Sequence, residues 1–211
     1  MKTKAQRIRD ILALAPVIPV LAFDDVDEAV ATSRALVAGG LPIIEITLRT
    51  PAALKCIAAV AKQVEGAVVG AGTVLTAAMM QDCAEVGAQF LVSPGATNNL
   101  LDGMKKIDIP LLPGVSTPSE AMGLYAEGLE VLKFFPAEQS GGAAFMKALA
   151  PVLPHISFCP TGGINAENAV DYLKLPNVLC VGGSWVAPKN HVASGEWDAI
   201  SAVAAEAAKL G

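Results

Sequence analysis

The sequence predicts a single α/β domain over residues 1–211, folded as a closed (β/α)8 TIM barrel with a short N-terminal helix at about residues 3–14. Three observations carry that expectation. Short β-rich apolar runs begin near Val17, Pro42, Ala67, Ala88, Pro110, Glu130, Ile156 and Val178, spaced 20 to 26 residues apart. Ala- and Leu-rich stretches with helical spacing separate them, and strand alternating with helix at that period means βα units around a parallel sheet. The rival, an open dinucleotide-binding sheet, would carry GxGxxG after its first strand; here Val17–Leu21 leads into Ala22-Phe23-Asp24 with no glycine.

Taken in order, the helices carry their own start signals. Asp25 precedes Val26–Ala38, Thr50-Pro51 precedes Ala52–Gln63, and Thr76 precedes Ala77–Val86. Ser119–Glu127 has the same apolar spacing, and Asn165 stands before the seventh helix. Oxygen-bearing side chains at these places accept from backbone N–H groups that a helix start leaves unpaired, and proline suits the first turn.

Composition narrows the function classes. The chain is 53% hydrophobic and 17% charged, with mean hydropathy +0.51, which excludes a disordered chain. The 19 glycines follow no triplet period, so collagen is excluded too. A chain this apolar can bury a large core with little polar surface left over, which favours self-association. Net charge is −5 without a basic run, so no nucleic-acid partner is expected. The apolar run Ile11–Phe23 is only 13 residues long and holds Pro16 and Pro19, too short to span a bilayer. Cys56, Cys83, Cys159 and Cys180 show no CxxC spacing and read as reduced core thiols, which suits a soluble cytoplasmic protein. His155 and His191 have no ligand spacing, and neither a metal nor a cofactor is expected.

The polar residues fall where a barrel places chemistry, at the C-terminal ends of strands. In Ile43–Arg49 the side-chain period of two sends Glu45, Thr47 and Arg49 to one face and Ile44, Ile46 and Leu48 to the other. That row is either a working acid–base and anion-binding edge or a self-satisfied Glu45–Arg49 ion pair. In the sixth strand, Glu130–Pro136, Lys133 sits inside an apolar run. Desolvation disfavours its ammonium form, and a neutral lysine attacks ketones to form Schiff bases. The alternatives are a lysine reaching to solvent along its stem, or a structural partner for Glu45. Strands seven and eight end in Gly162-Gly163 and Gly182-Gly183-Ser184, where backbone N–H groups can approach an anion and a helix N-terminus adds positive potential.

Seven segments in chain order give a resemblance. They are Pro16–Val20, Glu45-Ile46-Thr47-Leu48-Arg49-Thr50, Val69-Gly70-Ala71-Gly72-Thr73-Val74, Val92-Ser93-Pro94-Gly95, Lys133-Phe134-Phe135-Pro136-Ala137-Glu138, Cys159-Pro160-Thr161-Gly162-Gly163 and Gly182-Gly183-Ser184-Trp185. Together they resemble the 2-keto-3-deoxy-6-phosphogluconate aldolase family from Pro16 to Trp185, with no departure at the motif positions. The resemblance implies a metal-free class I aldolase of the Entner–Doudoroff pathway, a barrel assembled as a homotrimer. It implies Lys133 as the Schiff-base residue and Glu45 as general acid/base. Arg49 and Thr73 would hold the pyruvate carboxylate with Thr161 nearby, and Gly162, Gly163, Gly182, Gly183 and Ser184 the phosphate. Its partners would be a 2-keto-3-deoxy sugar-acid phosphate and pyruvate. Aldolases for 4-hydroxy-2-oxoglutarate and for the phosphogalactonate epimer share the lysine and carboxylate. Outside that family stands a metal-free sugar-phosphate isomerase, in which Lys133 would be only an electrostatic group.

Overall fold

The computed structural model describes residues 2–211. The chain runs α1 (Lys4–Leu12), β1 (Val17–Leu21), α2 (Val26–Ala38), β2 (Ile43–Thr47), α3 (Ala53–Gln63), β3 (Val68–Gly72), α4 (Ala77–Glu85), β4 (Phe90–Val92) and α5 (Asn98–Lys106). It continues through β5 (Leu111–Leu112), β6 (Gly114–Val115), α6 (Pro118–Ala126), β7 (Val131–Phe134), α7 (Gly142–Leu149), β8 (Ser157–Pro160), α8 (Ala169–Leu173), β9 (Val181–Gly183), α9 (Lys189–Ala193) and α10 (Trp197–Ala207).

Local chemistry sets several helix starts. Asp25 accepts from the Glu28 N–H and Thr76 from the Met79 N–H. Thr117 and Glu120 form a reciprocal capping box ahead of α6, with Pro118 in the first turn. Such a cap contributes about 1 kcal/mol. Thr50 and Asn165 act otherwise. Thr50 donates its hydroxyl to the Phe23 carbonyl, and Asn165 accepts from Glu167 and Asn168 in a turn before α8.

All strand pairs are parallel. They do not make the closed eight-stranded barrel that the repeat predicts. The ladder is divided into a curled six-stranded half-barrel, in the order β5-β4-β3-β2-β1-β9, and a three-stranded sheet, β6-β7-β8. Two interruptions account for this. At Pro113 the expected fifth strand splits: Leu111 and Leu112 pair with β4, whereas Gly114 and Val115 pair with β7. Proline has no N–H to continue a ladder on both sides. Between β8 and β9 only two isolated bridges remain, Phe158 to Val178 and Thr161 to Gly182, one residue out of register with each other.

The interior is built from aliphatic side chains of the strands and of the inner helix faces, with Phe90, Phe134, Phe158 and Tyr172 as its largest members. Helix α10 packs against α2, where Ser201 donates to the Ala35 carbonyl and Gly39 leaves room for Ala204. The C-terminal strand ends of both sheets converge on one cavity.

Candidate active site

Two strands from different sheets supply the charged floor. Glu45 is central in β2 and Lys133 lies in β7, so each is fixed by ladder bonds on both sides of its strand. Lys133 Nζ stands 3.6 Å from Glu45 Oε1, with the side chains only 8% and 5% exposed. That is an ion-pair distance, beyond hydrogen-bond contact, and Glu45 Oε1 has no hydrogen-bond partner among the described residues. A buried carboxylate oxygen left unpaired is costly unless another group meets it. Oε1 is thus left able to accept from a polar group that enters the cavity. Lys133 does not reach to solvent; its Nζ lies 5.2 Å from the centroid of the Phe135 ring.

Gly72, at the end of β3, is what admits the carboxylate. It is in register with Thr47, and a Cβ there would overlap the Glu45 carboxyl group. Glycine is required by that close approach, not by an unusual φ.

The self-satisfied Glu45–Arg49 pair does not form. Arg49 Nε instead donates to Thr47 Oγ1 at 2.8 Å, and Thr47 donates to the Leu21 carbonyl at 2.8 Å. Glu45 is left to Lys133, and the guanidinium stands at the cavity mouth.

The cavity has a volume of about 340 Å³. Lys133, Glu45, Arg49, Thr73, Thr161, Gly162, Gly163, Gly182, Gly183 and Ser184 all line it, so every residue singled out from the sequence is brought to one place. Thr73 has φ 59°, the left-handed region that a threonine seldom adopts. Gly162 and Gly163 have φ 105° and 77°. The carbonyls of Thr161 and Gly162 accept from the Ala137 and Glu138 N–H groups. In planar trans peptides the N–H groups of Gly162 and Gly163 then point the opposite way, off that segment. Gly182 and Gly183 differ. They belong to β9, and a Cβ on them would meet Thr161 and the Trp185 ring. Their smallness serves packing beneath the rim.

Gly72 and Pro94, small residues that the sequence puts on the rim after the third and fourth strands, lie at the cavity, and the structure adds Phe135, Val20 and Ile164 around it. Thr47 was legible as a member of the inward row, but its bond to Arg49 was not. Phe135 carried only its place two residues after Lys133.

A larger open depression of about 920 Å³ continues past Arg49 and Ser184 towards Asp24, Asp25, Glu28 and Lys189. It contains neither Lys133 nor Glu45. Burial, with Asp25 and Asp24 nearby, raises the Glu28 carboxyl above its ordinary range. Among the described residues, no three His, Cys, Asp or Glu side chains converge as a metal-ligand group.

A family model described as KDPG and KHG aldolase matches residues 8–203. The 2-dehydro-3-deoxy-phosphogluconate aldolase of Pseudoalteromonas atlantica is 48% identical over 94% of this chain and 93% of its own. The fold superposes with a TM-score of 0.93 on KDPG aldolase from Legionella pneumophila, whose crystal structure holds pyruvate captured at low pH as a covalent carbinolamine intermediate. That pair is 39% identical, covering 99% of both chains. The 2-keto-3-deoxy-6-phosphogluconate aldolase of Zymomonas mobilis, solved with 3-phosphoglycerate, gives a TM-score of 0.92 at 45% identity over 98% of this chain and 97% of that one.

Proposed function

The chain belongs to the KDPG and KHG aldolase family, and from that premise we propose that Lys133 is its Schiff-base nucleophile and Glu45 its proton-transfer group. The protein is a class I aldolase that cleaves 2-keto-3-deoxy-6-phosphogluconate to pyruvate and D-glyceraldehyde 3-phosphate, a step of the Entner–Doudoroff pathway. The observation that supports the residue roles is the buried 3.6 Å approach of Lys133 Nζ to Glu45 Oε1 at the cavity floor.

The chemistry follows from that approach. The free amine of Lys133 adds to the C2 ketone, and loss of water from the carbinolamine leaves an iminium. Glu45 takes the proton of the C4 hydroxyl. The electron pair of the C3–C4 bond moves into C2–C3 while the C2–N π pair returns to nitrogen, releasing the aldehyde and an enamine. The protonated Glu45 then returns a proton to C3, and water hydrolyses the pyruvate iminium to free pyruvate and Lys133. One carboxylate serves as base and then acid, a role open to Glu45 because its Oε1 has no hydrogen-bond partner among the described residues.

Arg49 and Thr73 receive the keto acid's carboxylate in this reading, the planar guanidinium fork matching two oxygens. Gly162, Gly163, Gly182, Gly183 and Ser184 form the phosphate end, with Thr161 between the two. Self-association as a homotrimer is part of this reading, and exposed apolar side chains such as Leu14, Met122 and Val152 favour self-association. No described helix is long and apolar enough to cross a membrane; the cytoplasm is the proposed compartment, which suits four free cysteines.

Aldehyde release in a coupled assay tests the assignment. Lys133→Ala is expected to lose about 10³-fold or more in kcat/KM. A folded variant cleaving at near the native rate overturns the nucleophile's assignment.

A further inference from the structure

We propose that Thr47 is a positioning residue for this reaction, aiming Arg49 at the carboxylate of the keto acid; the inference rests on the reading of Arg49 as the carboxylate holder. Thr47 is 2% exposed, and its hydroxyl ties the end of β2 to the Leu21 carbonyl at the end of β1. A hydroxyl has one proton to give. Here it goes to the Leu21 carbonyl, so the oxygen's lone pairs are what Arg49 Nε meets, and the direction of the chain from guanidinium to hydroxyl to carbonyl is fixed.

The consequence is geometric. With Nε anchored, the two terminal nitrogens stand on the free edge of the guanidinium, the edge that binds a carboxylate through two parallel bonds. Arg49 has no salt bridge among the described residues that competes for them. A second threonine works from the other side: Thr50 donates to the Phe23 carbonyl, so the turn bearing Arg49 is pinned before and after it to the exit of β1. Without the Thr47 bond, ordering of a long and flexible side chain would fall on the binding step.

Thr47→Val removes the hydroxyl at nearly constant volume. The expected result is a rise of about tenfold in KM for the phosphorylated keto acid and in the inhibition constant for pyruvate, since a bond to a charged partner is lost. The kcat should stay within about threefold, and Thr47→Ser should restore KM. In the Arg49→Ala background, Thr47→Val should add no further loss. Thermal melting of each variant separates aim from stability, and Thr47→Ala gives the same comparison should the valine variant not fold. A folded Thr47→Val protein with native KM overturns the inference, as does an equal fall in kcat and melting temperature with KM unmoved. A raised KM in Arg49→Ala beside native KM in Thr47→Val overturns the Thr47 role alone. Native KM in Arg49→Ala overturns the carboxylate reading and the inference with it.

Discussion

Lys133 Nζ and Glu45 Oε1 face each other across 3.6 Å although their strands belong to different sheets. Glu45 comes from the half-barrel and Lys133 from the three-stranded sheet, so the site depends on how the two sheets meet. Glu45→Gln keeps the volume and removes the proton acceptor. Turnover should fall by about 10²-fold or more while borohydride still traps pyruvate on the lysine at a reduced rate. Unchanged turnover would remove Glu45 from its role.

Gly72 sets the space for that carboxylate. Gly72→Ala places a methyl group where the Glu45 carboxyl lies, and displacement by about 1 Å is enough to cost about 10²-fold in rate. Melting temperature reports whether the strand itself has yielded. A fully active Gly72→Ala enzyme would show that Glu45 has another working position.

Gly163 has φ 77°, and a Cβ there would press on Glu138. Gly163→Ala should raise KM for the phosphorylated substrate yet leave reductive trapping of unphosphorylated pyruvate near native. Equal losses in both would place Gly163 outside the phosphate end.

Glu120 gives a pH prediction away from the site. Hydrogen bonds led by the Ser116 N–H, with Thr117 contributing, hold its carboxyl below the ordinary value of 4.5. A carboxyl lowered by folding stabilises the fold above its unfolded value, and that contribution is lost as pH falls through the lowered one. The Tm advantage of the native chain over Glu120→Gln should be steady at neutral pH and shrink below about pH 4.5. An advantage independent of pH would mean that the charge on Glu120 does not matter to the cap.

Sequence made some of this legible and hid the rest for physical reasons. Asp25 and Thr76 cap helices as their positions indicate, because a cap is a local event within four residues. Thr50 looked like a cap too, but the Phe23 carbonyl takes its hydroxyl across the loop from another strand. The repeat of strand and helix shows roughly where strands fall, eight expected against the nine that form. It does not show whether each finds two neighbours, and so the division at Pro113 and the weak seam between β8 and β9 were invisible. Glu45, Thr47 and Arg49 stood out because a strand's period of two puts them on one face, and Lys133 because it interrupts an apolar run, whereas Thr73 and Thr161 came only with the family resemblance. Gly72 was legible only as a small residue of the rim, since its purpose appears when the register sets it beside Thr47 and under Glu45.

Lys133 is the residue proposed to carry the covalent intermediate. Incubating the native protein with pyruvate and borohydride, then mapping peptides by mass, tests that role most directly. One reduced pyruvyl adduct per chain is expected, on Lys133 and absent from Lys133→Ala. No adduct on folded protein, or an adduct on another lysine, would contradict it.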